Sequence, residues 1–203
     1  MKSDTRFQKA NVICLTETWL QEPSSVQFSL QGFSLMHTLR KNSYDKSNEL
    51  YSKIQNSNGG GVGTYIHDDE EARQIDIPVP NIEVVAFVFQ ENISVFTVYR
   101  PSALIKDFFI SSLAQLTNFI KRECENCIML GDFNENTVDD IGPIKKNLNE
   151  HGFKQLVTFP TTEGRTIIDH VYVYGLQEYH IDVSLLPTYY SYHEAIIVKL
   201  FRK

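Results

Sequence analysis

Ile128-Met129-Leu130-Gly131-Asp132-Phe133-Asn134 is the stretch whose reading decides the rest of the chain. A short apolar run ends at a glycine, and a carboxylate and a carboxamide follow two positions apart. Alternate residues of a strand project to the same side, so the run predicts a buried strand presenting Asp132 and Asn134 to one pocket. Catalytic groups commonly sit where strands give way to loops. The plainer reading of any Gly-Asp-x-Asn is a strand followed by an Asx turn. The company the stretch keeps decides between them.

Upstream, Leu104, Ile105, Phe108, Phe109, Leu113, Leu116, Phe119 and Ile120 recur at helical spacing, with Ser102 as N-cap. Before that helix, residues 82–89 and 93–99 are rich in β-branched and aromatic types. Gln90-Glu91-Asn92 joins them as an antiparallel hairpin, closed by Tyr99-Arg100-Pro101-Ser102. Downstream, Ile141, Ile144 and Leu148 mark a shorter helix stopped by Gly152. Residues 166–174 read as a strand with Asp169-His170 embedded in it, and a carboxylate inside an apolar strand needs a partner. Residues 179–185 and 194–201 are two more strands, flanking Tyr190-Ser191-Tyr192-His193.

At the N-terminal end, residues 11–15 predict a buried strand running into Thr16-Glu17-Thr18-Trp19, and residues 33–37 a second strand. Glu17 is either a solvated strand end or a metal ligand. Tyr99 is either core packing or a donor to a substrate, and His193 either a satisfied histidine or a catalyst. Residues 40–58 read as a long polar loop, functional or mobile. Gly59-Gly60-Gly61-Val62-Gly63 is not a P-loop, because no Gly-Lys-Ser/Thr follows, so its glycines serve a turn or close backbone packing.

The 203 residues suffice for one domain with a sizeable core, and 42% hydrophobic with 12% aromatic residues excludes general disorder. A net charge of −6 excludes gripping nucleic acid by bulk positive field, but a metal site built from carboxylates is itself acidic. No run of about 18 apolar residues predicts a membrane span. Met1 to Arg6 lead into polar residues rather than a signal-peptide core, so an intracellular protein, nuclear or cytoplasmic, is expected. Cys124 and Cys127 have C-x-x-C spacing but lack a second ligand pair, so they and Cys14 read as structural or incidental thiols. The sequon Asn92-Ile93-Ser94 falls inside a strand pattern and is discounted. Strands outnumber helices, with mixed pairing, in one layered α/β domain spanning residues 1–203.

In chain order the polar candidates are Glu17, Tyr99, Asp132, Asn134, Asp169 and His193, types suited to metal-assisted phosphodiester hydrolysis. Their setting resembles the endonuclease/exonuclease/phosphatase superfamily, in particular the endonuclease domain of LINE-type (non-LTR) retrotransposons. The resemblance spans nearly the whole chain and rests on several motifs in order. These are residues 12–20 (VICLTETWL), 59–62 (GGGV), 97–102 (TVYRPS), 131–134 (GDFN), 152–157 (GFKQLV), 160–161 (PT), 168–171 (IDHV) and 191–193 (SYH). It implies a four-layered α/β sandwich (α+β) of two packed mixed sheets flanked by helices. It also implies a DNA endonuclease nicking one strand, with Mg²⁺ (or Mn²⁺) as cofactor. Glu17 would ligate the metal and Tyr99 would donate to the scissile phosphate. Asp132 would activate or position the water, helped by Asn134, and Asp169 would orient His193 on the phosphate oxygens.

Two departures from the family pattern follow. Family members carry a first strand with an Asn ahead of the segment matching residues 7–17, and this chain starts at Met1 without it. That leaves a sheet edge open to a partner's strand. Tyr192 stands where the family has Asp, which implies weakened Mg²⁺ binding or turnover. The alternative to a nuclease is therefore a catalytically decayed domain that binds nucleic acid or protein.

Overall fold

The computed structural model describes residues 5–21, 28–89, 91–139 and 142–203. In chain order its elements are α1 (Thr5–Gln8), β1 (Val12–Thr16), β2 (Phe33–Thr38), α2 (Arg40–Ser43), α3 (Glu49–Gln55) and β3 (Val62–His67). Then come β4 (Ala72–Gln74), β5 (Glu83–Phe89), β6 (Ile93–Tyr99), α4 (Lys106–Glu123), β7 (Asn126–Asp132) and α5 (Pro143–Glu150). The last are β8 (Lys154–Gln155), β9 (Asp169–Tyr174), β10 (Tyr179–Leu186) and β11 (Ala195–Arg202).

The fold is a mixed α/β sandwich built on a six-stranded sheet ordered β4-β5-β6-β7-β9-β8. The pair β6 and β7 is parallel, and its other neighbours are antiparallel. A parallel pair needs a crossover, and α4 supplies it. The two faces of the sheet follow the alternation of its strands. Phe96, Val98, Met129 and Tyr172 meet Phe109, Leu113, Leu116 and Ile120 of α4, joined by Ile54 of α3 and Ile144 and Leu148 of α5. Val95, Ile128, Val171 and Val173 point the other way, onto the second layer.

That second layer comes in two pieces, the antiparallel sheet β1-β3-β2 and the antiparallel pair β10-β11. Among the described residues no strand joins β1 to β11. Both line one cleft of about 1540 Å³, floored by Val95, Ile128, Leu130 and Val171. The open edge explains why β1, expected to be a buried strand, has only Ile13 fully buried.

Several boundaries differ from the sequence expectation. The polar loop expected at 40–58 contains α2 and α3, because Tyr51 and Ile54 turn into the helix-side core and Asn48 caps α3 through its side chain. Ser102 does not cap α4. The chain turns at Pro101, Leu104 N donates to the Pro101 carbonyl at 2.9 Å, and the helix starts after Ile105. The strand expected over 166–174 begins at Asp169. Gln90 of the hairpin turn, Ile141 of the short helix and residues 1–4 lie outside the described residues. Gly152 ends α5 with φ 86°, as expected. The three cysteines are free, and burial pushes the Cys124 and Cys127 thiols up, in keeping with structural roles.

Candidate active site

Three strand ends align to make the floor of the site. Tyr99, the last residue of β6, is the register partner of Asp132, the last residue of β7, and Asp132 is the partner of Asp169, the first of β9. Register partners on adjacent strands project to the same face, so the three polar groups stand side by side. The approach is tight. A Cβ at Gly131, whose φ is 143°, would sit 1.9 Å from the Val98 carbonyl oxygen, so only glycine fits before Asp132.

Asn134 reaches Asp132 by a turn rather than by strand alternation. Its φ is 48°, its backbone N–H donates to Asp132 Oδ1 at 2.8 Å, and its Nδ2 donates to Asp132 Oδ2 at 3.1 Å. The Asx turn and the shared pocket are therefore the same feature. Buried Arg100 holds this turn in place, its guanidinium donating to the carbonyls of Phe133, Leu104 and Asn134, each at 2.6 Å. Asn134 Nδ2 returns a bond to the Arg100 carbonyl at 2.8 Å. Beyond the turn, buried Glu135 accepts the backbone N–H groups of Ile144 and Lys145 at the start of α5.

His193 comes from the loop between β10 and β11. Its Nδ1 lies 2.9 Å from Asp169 Oδ2 and 3.1 Å from Oδ1, which leaves Nε2 as the outer nitrogen. The hydrogen bond that His193 Nδ1–H donates to the Asp169 carboxylate raises the His193 pKa and favours the imidazolium. Asp132, 5% exposed, is pushed up to about 7 by burial and by the neighbouring carboxylates of Asp169 and Glu17, against the pull of Asn134 and His193. Crowded acids of this kind are what a divalent cation relieves. Ligand atoms of Asp132, Asp169 and His193 lie within 4.8 Å of one another. Because His193 Nδ1 is engaged with Asp169, the hard donors open to a cation are the carboxylate oxygens, and this donor set fits a divalent metal.

Glu17 lies outside that group of three and is exposed. The Tyr99 hydroxyl donates to its Oε1, and the Trp19 indole N–H donates to its Oε2 at 3.4 Å. Burial and Glu17 raise the Tyr99 pKa well above the usual tyrosine range, so the phenol stays a donor. Glu17 and Trp19 both have positive φ, 51° and 55°. Thr18 N and Trp19 N donate to the carbonyls of Gly61 and Gly60 at 3.2 and 2.9 Å, which ties this segment to the glycine run.

Sequence reasoning missed what holds the glycine run. Glu83, fully buried in β5, accepts from Arg40 Nε at 2.8 Å, from the Tyr44 hydroxyl at 3.1 Å and from the Gly61 backbone N–H. The Arg40 guanidinium also lies 5.7 Å from the Tyr99 ring centroid. A lone glutamate inside the apolar run of residues 82–89 was a readable signal that a cationic partner exists. Tyr192 is half exposed, its ring edge-on to His193 at 4.7 Å.

No curated protein sequence matches the chain significantly. Among solved structures, the endonuclease domain of TRAS1, a telomere-specific non-LTR retrotransposon, is similar at TM-score 0.67 and 15% identity, over 98% of this chain and 88% of that one. A 3′ phosphatase, NExo, from Neisseria, bound to a product DNA hairpin, is similar at TM-score 0.65 and 16% identity, over 94% and 89%. The catalytic domain of APE2 from Xenopus laevis is similar at TM-score 0.59 and 16% identity, over 98% and 87%. At such identities the likeness concerns the fold. The family model for the endonuclease/exonuclease/phosphatase family matches residues 5–193. The chain therefore belongs to that family, whose enzymes hydrolyse phosphodiester bonds and generally use divalent metals.

Proposed function

We propose that the chain, as one domain over residues 1–203, is a Mg²⁺-dependent DNA endonuclease that nicks one strand, of the kind carried by non-LTR retrotransposons. The observation that carries this reading is the in-register row of Tyr99, Asp132 and Asp169, with Asn134 and His193 bonded to its members. The order of motifs along the chain and the TRAS1-like fold support the retrotransposon branch. No helix among the described residues is long and apolar enough to cross a membrane. The proposed setting is intracellular, nuclear or cytoplasmic.

Asp132 positions the attacking water, and Asn134 fixes the orientation of its carboxylate. His193, oriented by Asp169 and favoured as the imidazolium, presents Nε2–H to the phosphate oxygens as charge builds on them. Tyr99, whose phenol donates to Glu17, would donate likewise to a phosphate oxygen. Glu17 and Asp132 would hold Mg²⁺, with Mn²⁺ as a substitute. Bound there, the metal supplies Lewis-acid neutralisation of phosphate and leaving-oxygen charge. Tyr192 adds no carboxylate to this set, so turnover is low for such a site.

The test is supercoiled plasmid incubated with the protein in Mg²⁺ or in chelator. Open circles in Mg²⁺ alone support the reading. Intact plasmid in both, from folded protein, overturns it. That outcome favours the second reading, a decayed domain that binds protein or nucleic acid, which the open cleft between β1 and β11 independently supports. A partner strand seated there would pair with both free edges.

A further inference from the structure

The rim of the site is aromatic. Tyr189 is 96% exposed, Tyr190 63% and Tyr192 50%, all in the loop that delivers His193, and Trp19, beside Glu17, is 61% exposed. Tyr190 and Tyr192 line the same cleft as Glu17, Asp132 and Asp169. Large rings held in solvent on the segments that carry a polar site's residues mark a recognition surface rather than misplaced core.

We propose that these rings stack on unpaired bases, so that the substrate is single-stranded or locally melted DNA rather than closed duplex. The inference rests on the nuclease reading and names its substrate class. The rings are presented by held backbone. Thr188 N donates to Glu194 Oε2 and Glu194 N to the Thr161 carbonyl, both at 2.8 Å. Glu163 N donates to the Tyr192 carbonyl at 3.1 Å, and His193 N to Ser191 Oγ at 3.0 Å. On the opposite side the left-handed turn at Glu17 and Trp19 is tied to Gly60 and Gly61, and the indole lies against Gly59, where an added Cβ would be 3.3 Å from the ring. Backbone held in a sparsely populated conformation beside a site is a device for aiming a side chain.

Charge points the same way. Phosphate neutralisation carries more of duplex binding than of single-strand binding, and the chain carries 19 Lys and Arg against 25 Asp and Glu. Base stacking on aromatic rings is the remaining source of affinity, and a base offers its face only when it leaves the duplex stack.

Trp19 is the only tryptophan, so its fluorescence reports directly on the rim. The full chain is titrated, in Ca²⁺ to screen phosphate from the acids, with oligothymidylate and with a blunt duplex of equal length. The expected result is saturable quenching by the single strand, at least about tenfold tighter than by the duplex. The double variant Tyr189→Ala, Tyr190→Ala should bind the single strand about ten- to a hundredfold more weakly with an unchanged melting temperature, since both side chains are exposed. Equal binding of duplex and single strand, unchanged binding by the variant, or no binding of either oligonucleotide overturns the proposal. Binding needs no cleavage here. A chain that prefers unpaired bases yet never nicks sinks the nuclease reading alone, and one that nicks without the preference sinks this inference alone.

Discussion

The floor and the rim of the cleft are built in opposite ways. The floor is three adjacent strand ends in register, with Asp132 and Tyr99 buried and the turn after them held by the three short bonds of Arg100. The rim is two loops, one strained at Glu17 and Trp19, the other carrying three exposed tyrosines. Groups that move protons need fixed geometry, and strand ends supply it. Groups that recognise a substrate need reach, and loops supply that. Substitutions in the floor should therefore abolish chemistry, whereas substitutions in the rim should shift affinity.

The largest effect expected is on the floor and on His193, the loop residue bonded to Asp169 in it. Asp132→Ala and His193→Ala should each slow Mg²⁺-dependent nicking at least about a hundredfold with little change in substrate affinity, read in single-turnover assays. Retained turnover in either variant would place the chemistry elsewhere. Next comes the tie between rim and core. Glu83→Gln leaves the buried Arg40 without a counter-charge and sets an amide NH2 against either Arg40 or the Gly61 N–H, so unfolding in urea should show a loss of about 3–5 kcal/mol.

The pH dependence of stability probes the floor without substrate. Asp132 titrates near 7 in the folded protein against an ordinary 3.8, so the folded state holds its proton more tightly. Its contribution is present in full below pH about 4 and is lost as pH rises through about 7. The upward shift of His193 acts in the same sense. In chelator, Asp132→Asn should therefore be more stable than the parent at pH 8, by roughly 1–3 kcal/mol, and the gap should close below pH about 4. Thermal melts across pH read it, and a gap that widens in acid contradicts the assignment. The smallest effect is on the rim, where Tyr192→Asp should tighten Mg²⁺ binding several-fold, up to about tenfold, by adding a carboxylate.

How much of this was legible in the sequence depended on the range of the interaction. Local patterns marked β5, β6, α4 and β7, because period-2 and helical spacing are set by a strand's or a helix's own faces. The six candidate residues stand around one cleft because each sits at a strand end or in the loop beside one. The Asx turn at Asp132 and Asn134 was readable from the motif. What was not readable depended on distant partners. Tyr51 and Ile54 make a helix of a polar stretch only because the core of α4 lies opposite. Arg40 and Glu83 are 43 residues apart, so nothing local pairs them. Ser102 looked like a cap because hydrophobic spacing extends back to Leu104, whereas the Pro101 turn and Arg100 take that segment out of the helix. Among the described residues no strand fills the gap between β1 and β11, and the low burial of β1 beside that gap needed three dimensions to see.

The central claim is that Asp132 and Glu17 form a metal centre, and calorimetric titration with Mg²⁺ near pH 7 tests it most directly. The account predicts saturable binding with release of protons, because a carboxyl titrating near 7 must ionise to accept the cation, and loss of both signals in Asp132→Ala. Identical heats in the parent chain and Asp132→Ala, or no binding by folded parent, would contradict it.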